Sequence, residues 1–221
     1  MKNEEITKQN KVVFWIPLVF LPIVLTSLIS RVAQLSPWWG RYIIYALTCW
    51  LTLTILWFIL RKNGYSFKDI GWRNFRIKDI GWAVLFFIIA IYVWWGLSIV
   101  LGRFGIGWET NFPFANSSEV LIIFFYAIIT APICEEILFR GYLITVLSKK
   151  TILWLSGVIS VILFALYHLF PFGIGAFIHI LFWAPFPTIL FIWRKSVYPG
   201  IIMHVLNNLW AYIVLPLLFR D

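Results

Sequence analysis

Of the nine acidic residues in this chain, seven sit in polar tails or loops, while Glu135 and Glu136 lie well inside an apolar stretch running from Val120 to Leu147. A charged side chain at that depth in a bilayer costs at least about 2.5 kcal/mol on insertion scales, so a carboxylate there marks a functional site by default. Arg140 follows in E-E-I-L-F-R. On a helix, Glu136 and Arg140 share a face, with the acid N-terminal to the base, the favourable order for an i,i+4 pair. Glu135 points about 100° away from Glu136 and roughly 140° away from Arg140 by the same geometry. The pattern therefore divides the labour: Glu136 and Arg140 form a structural ion pair, and Glu135 faces an apolar cavity, where a carboxylate can act as general base. A purely structural E-E-R cluster that fixes helix packing is the competing account.

Three histidines occur, all in the last third of the chain. His168 ends F-A-L-Y-H, so Phe164 sets an aromatic ring beside its imidazole on one helix face. His204 begins H-V-L-N-N and shares a face with Asn208, with Asn207 close enough to join them. A lone histidine near a membrane helix end is as often a packing residue as a catalytic one, but the coincidence of Glu135, His168, His204 and Asn208 in one 74-residue stretch shifts the balance toward a functional set. His179 has no motif partner and reads as a packed histidine rather than a further ligand. Cys134, beside the glutamates, invites a thiol-nucleophile role, but apolar surroundings disfavour a reactive thiol, and a small packing residue fits better.

The elements that must hold these residues are membrane helices. The 221-residue chain is 62% hydrophobic and 12% charged, with 14 Trp and 21 Phe, far from the roughly 25% charged composition of soluble domains. Its mean hydropathy is +0.91. A soluble enzyme, a disordered tail and a disulfide scaffold are excluded, and no CxxC or His/Cys metal spacing occurs. Seven continuously apolar runs approach or exceed the roughly 20 residues a helix needs to cross a bilayer, at Val12–Ser30, Tyr42–Leu60, Ile80–Leu101, Val120–Leu147, Ile152–Phe170, Phe172–Trp193 and Val197–Phe219. Their lack of alternation argues for helices over barrel strands. The fold class is all-α and polytopic. The first run, which contains Pro17 and Pro22 and is followed by Arg31 without a small-residue cleavage site, reads as a retained anchor.

Basic residues punctuate these runs, so the net charge of +9 reads as a topology signal and as attraction to anionic lipid, not to nucleic acid. Alternate connections carry 13 Lys and Arg on one side and four on the other, with Arg140 inside the fourth run. This places the N-terminus in the cytoplasm. The segment Arg61–Asp79, which mixes Ile70, Trp72, Phe75 and Ile77 with six basic residues, is either an interfacial amphipathic stretch or a solvated connector. The Gly-rich loop Gly102–Ser118 divides the chain into an N-terminal unit, 1–118, of three membrane helices and a core, 119–221.

Depth along the helices tests the constellation. Counted from a turn at Lys149–Thr151, Glu135 and His168 lie about 20 and 25 Å along their helices and can meet. His204 and Asn208 lie only about 12 and 18 Å from the turn near Lys195. Closing this gap requires Pro185, Pro187 or Pro199–Gly200 to break or tilt their helices.

The ordered set E-E-x-x-x-R at Glu135, Glu136 and Arg140, F-x-x-x-H at Phe164 and His168, and H-x-x-x-N at His204 and Asn208 resembles the CAAX protease and bacteriocin-processing (CPBP) family. This family is also called the abortive-infection or type II CAAX prenyl endopeptidase family of intramembrane proteases. The resemblance covers roughly Val120–Asn208, with F-R-G continuing at Phe139–Gly141. It implies an endopeptidase of membrane-associated proteins or peptides in which Glu135, with His168, activates water while His204 and Asn208 stabilise the oxyanion. The donor set fits either zinc on Glu135, His168 and His204 or a metal-free glutamate mechanism, and the lack of H-E-x-x-H tilts the balance to the metal-free one. The expected setting is a bacterial plasma membrane, with lipids and a membrane-anchored substrate as partners and no nucleic acid. A non-catalytic bacteriocin-immunity or scaffold protein would keep these helices but tolerate Glu135→Gln. A transporter would need a polar path across the bilayer, which the first three runs, free of charge, do not supply.

Overall fold

The computed structural model describes residues 15–33, 38–73, 75–107 and 117–218. The N-terminal basic tail, much of the outer loop 102–118 and Arg220 lie outside the described residues. The described residues are helical, with no strand among them. Helix α1 spans Ile16–Ala33, α2 Trp38–Lys62 and α3 Lys78–Gly102. Helix α4 runs continuously over 117–147 and contains two wide, π-helical stretches, Phe124–Thr130 and Glu136–Ile144. Then come α5, Leu153–Trp183, α6, Pro185–Arg194, and α7, which begins at Tyr198 and continues through a π turn to Leu218.

Five helical stretches are long and apolar enough to cross a membrane, and Ile16–Leu28 is a shorter apolar helix. Among the described residues all seven expected runs fall largely on helix, but the fifth and sixth belong to one 42-residue stretch, Leu153–Arg194. That stretch doubles back at Gly173, whose φ of 83° and ψ of −173° leave the helical region. The return leg packs on the outgoing one. A Cβ on Gly157 would lie 2.9 Å from Ile192 Cδ1 and 3.1 Å from Thr188 Cγ2, and the Phe164 and Trp183 rings are 6.2 Å apart. Both pairings are nearly symmetric about Gly173.

The surface is apolar and the interior holds the polar groups, an arrangement suited to hydrocarbon. Leu47, Phe58, Tyr92, Trp95, Phe125 and Trp154 are exposed, whereas Glu135, Glu136, Arg140, His168, His204 and Asn208 are buried. Around that polar cluster packs a core that includes Leu56, Leu138, Phe139, Tyr142, Phe164 and Leu190.

The basic connections gather at one end of the bundle. Lys62 Nζ lies 5.8 Å from the Trp15 ring, Lys149 Nζ 4.1 Å from the Tyr65 ring, and Arg194 pairs with Asp79 at 3.0 Å. The segment between α2 and α3 is neither a single amphipathic face nor a loose connector. A 3-10 turn at Phe67–Ile70 buries Ile70, the Trp72 ring packs tilted against Tyr198 at 5.1 Å between centroids, and Phe75 and Ile77 remain exposed. Ser66 donates to the Asp69 carboxylate through both its amide (2.7 Å) and its hydroxyl (2.8 Å), which holds the Asp69 pKa below the usual carboxylate range. Gly141 admits this turn onto α4, since a Cβ there would sit 2.7 Å from the Ile70 carbonyl oxygen.

Candidate active site

Helix α4 contributes both glutamates and Arg140. The ion pair read from the sequence is present: Arg140 Nη1 donates to Glu136 Oε1 at 3.0 Å, with both side chains fully buried. The guanidinium has further partners that no spacing rule reveals. Its Nε donates to Thr188 Oγ1 at 3.3 Å and its Nη2 to the Ala184 carbonyl at 3.2 Å, and its Cζ lies 4.3 Å from the Phe164 ring centroid. Arg140 therefore fastens α4 to both legs of the α5–α6 hairpin. Phe164 touches His168 on its other side, at 4.6 Å between centroids.

Glu136 has a second partner. His204 Nδ1 lies 3.0 Å from the same Oε1 that Arg140 holds. A carboxylate only accepts, so the hydrogen of this bond is on Nδ1, and in the neutral ring Nε2 carries the lone pair. Nε2 lies 3.8 Å from Glu135 Oε2. His168 is fixed in the same tautomer, because its Nδ1 bonds the Phe164 carbonyl at 2.9 Å. Asn208 gives one amide hydrogen to the Ala127 carbonyl at 2.8 Å and receives Asn207 Nδ2 on its own oxygen at 3.3 Å.

Glu135, His168, His204 and Asn208, carried by α4, α5 and α7, border one cavity of about 50 Å³. A water needs roughly 10–15 Å³ on this measure, so the space admits a few waters. Glu136 and Arg140 lie behind the wall. Tyr126, Tyr167 and Trp183 also line the cavity. Sequence reasoning missed these aromatics, which carry no motif in a chain so rich in them.

The depth gap is closed: His204 Nε2 lies 3.8 Å from Glu135 Oε2, and the helix that ends at Trp183 gives way to a new one at Pro185. Pro185 and Pro199 sit in the first turns of α6 and α7, where proline is accommodated, and Ala184 between α5 and α6 keeps helical angles. The turn between α6 and α7 is itself buried. Ser196, Val197, Pro199 and Gly200 are buried, and the Val197 amide donates to the Gly71 carbonyl at 3.1 Å. The α6–α7 turn is thus covered by the 66–73 segment, whereas Lys150 in the α4–α5 turn is exposed. Gly200 allows α7 to approach Glu136, because a Cβ there would lie 2.8 Å from Glu136 Oε2.

His179 does not border the Glu135 cavity. Its Nδ1 bonds the Gly175 carbonyl at 2.8 Å and its Nε2 lies 2.9 Å from Ser98 Oγ, joining α5 to α3. Cys134 is buried, with its thiol 3.5 Å from the Cys49 carbonyl. Among the described residues no group of three or more His, Cys, Asp or Glu side chains is arranged to hold a metal ion, so the zinc set Glu135, His168 and His204 does not fit as it stands.

An all-α polytopic membrane protein with a water-sized polar cavity built from Glu, His and Asn is the class that fold and site define. Residues 117–210 match the family described as type II CAAX prenyl endopeptidase Rce1-like. The range includes every residue of the cavity motif and excludes α1 to α3. No curated protein and no solved structure matches the chain.

Proposed function

We propose that the protein is an intramembrane endopeptidase that hydrolyses peptide bonds of membrane-associated proteins or peptides with a glutamate-activated water. The observation that carries this reading is the convergence of Glu135, His168, His204 and Asn208 on one small buried cavity, with Glu136 and Arg140 held behind it. Residues 119–221 are then the catalytic unit, and 1–118 supplies the helices that enclose it.

Glu135 takes a proton from a water that also donates to the free Nε2 of His168, and the water oxygen adds to the peptide carbonyl carbon. The carbonyl π pair moves to oxygen. Asn208 meets that oxyanion with its remaining amide hydrogen, and His204 does so in the form that carries a proton at Nε2 as well, which it keeps through the cycle with Glu136 as counter-charge. Collapse breaks the C–N bond as the proton held by Glu135 passes to the departing amine. No step needs a metal.

The test is purified protein in liposomes, given membrane-anchored peptides with and without a chelator, beside Glu135→Gln. Cleavage by the wild type that survives the chelator and falls by at least about 10²-fold in the variant supports the reading, since a positioned base contributes roughly 10²–10⁴-fold. Cleavage by Glu135→Gln at the wild-type rate overturns it. Loss in chelator, restored by zinc, overturns the metal-free step. A wild type that binds such peptides but never cleaves them points to the non-catalytic immunity or scaffold role.

A further inference from the structure

Among the described residues, three buried side-chain polar atoms have no hydrogen-bond partner: Glu135 Oε2, Glu136 Oε2 and Trp183 Nε1. Buried polar groups are almost always matched, so each exception calls for an explanation. Glu136 Oε2 is packed against Gly200, where a Cβ would lie at 2.8 Å. The other two belong to residues that border the same cavity. One is an acceptor and the other a donor.

The His and Asn208 side chains of the cavity wall offer few hydrogens, and its other polar donors are tyrosine hydroxyls and the Asn207 amide. The Nδ1 hydrogens of His168 and His204 are committed to the Phe164 carbonyl and to Glu136, so both neutral rings present lone pairs at Nε2. One amide hydrogen of Asn208 is committed to Ala127. The two neutral histidine rings suit a water that donates, but a peptide carbonyl oxygen needs hydrogens pointed at it.

We propose that the indole N–H of Trp183 is a catalytic hydrogen-bond donor to the scissile carbonyl and to the oxyanion formed from it. The proposal rests on the peptidase reading above. The ring is well placed to hold a fixed direction. It is buried, with its centroid 4.7 Å from His204, 6.2 Å from Phe164 and 5.9 Å from the Arg140 guanidinium carbon. The next carbonyl along the chain, that of Ala184, accepts Arg140 Nη2 at 3.2 Å and anchors the backbone at this point. An indole N–H does not titrate, so it serves whatever the protonation of the two histidines.

The experiment compares wild type with Trp183→Phe and with Trp183 replaced by β-(3-benzothienyl)alanine, which keeps the bicyclic shape and puts sulfur in place of N–H. The readouts are kcat, KM, melting temperature and the pH profile of kcat on a membrane-anchored peptide. Both variants should lose at least about tenfold in kcat, toward the roughly 10²–10³ typical of one oxyanion donor. KM and the shape of the pH profile should stay near wild type. The benzothienyl protein decides the matter if the Phe variant does not fold. Wild-type kcat in that protein, or a loss confined to KM, overturns the proposal while an inactive Glu135→Gln leaves the peptidase reading standing. A wild type no more active than Glu135→Gln overturns both.

Discussion

Glu135 and Glu136 are adjacent, alike and both buried, yet their surroundings differ. Glu136 is bonded through one oxygen to Arg140 and His204, whereas Glu135 meets the cavity with an unpartnered oxygen. Glu135→Gln should leave folding and insertion intact while abolishing measurable cleavage, because glutamine keeps the shape and removes the base. Glu136→Gln should lower the melting temperature, because it leaves the Arg140 charge buried without its counter-ion and loosens His204. Turnover and thermal melting of both purified variants decide the assignment, and an active Glu135→Gln enzyme or an inactive but fully stable Glu136→Gln one reverses it. Arg140→Ala should be the more severe structural lesion. Breaking one side of a buried ion pair costs about 3–5 kcal/mol, and here the bonds to Thr188 and Ala184 and the contact with Phe164 go as well. The measurement is abundance in the membrane fraction together with turnover per folded molecule. Normal accumulation with turnover alone lost would move Arg140 into the catalytic or substrate-binding set.

Two glycines show how the elements hold the site, through different physics. At Gly173 the φ of 83° and ψ of −173° lie in a region that is essentially glycine's alone, with open space where a Cβ would go. Gly173→Ala should therefore destabilise the α5–α6 hairpin by about 1–3 kcal/mol through backbone strain. Gly200 has an ordinary helical backbone and no free space, since its Cβ would press on a Glu136 carboxylate held from two sides. Gly200→Ala should displace Glu136 and with it His204, cutting turnover more than stability. Melting curves and initial rates for the pair check this, and equal effects on both quantities in both variants would refute it. These positions also mark where the sequence stopped being legible. The apolar runs and the E-E-R face follow from local periodicity, and both appear in the structure. The burial of the α6–α7 turn does not follow, because it depends on the 66–73 segment, about 130 residues away in the chain, covering the 195–198 turn. Trp183 is silent for a similar reason: one Trp among 14 has no spacing to distinguish it, and only its unmatched N–H singles it out.

For the whole molecule, the charge asymmetry and the packing can be set against each other. The sequence assigns 13 Lys and Arg to one side and four to the other, an imbalance that orients membrane proteins with the basic side in the cytoplasm. The split assumes that the three basic connections after α2, α4 and α6 lie on the same side. Contacts from each of them meet at one end of the bundle: Lys149 on Tyr65, Val197 on Gly71, and Arg194 on Asp79. The doubling back at Gly173 is what makes this possible, since an unbroken 42-residue helix would carry Arg194 to the far side. We therefore predict that the 61–79 segment faces the cytoplasm. In a background lacking Cys49 and Cys134, single cysteines at the exposed Ile77 and Lys150 should be shielded from an impermeant thiol reagent in intact cells and react after permeabilisation. A cysteine at the exposed Phe104 should react in both. Labelling of Ile77→Cys and Lys150→Cys in intact cells would invert the protein in the membrane, and a difference between these two would break the common end on which the α7 placement of His204 and Asn208 depends.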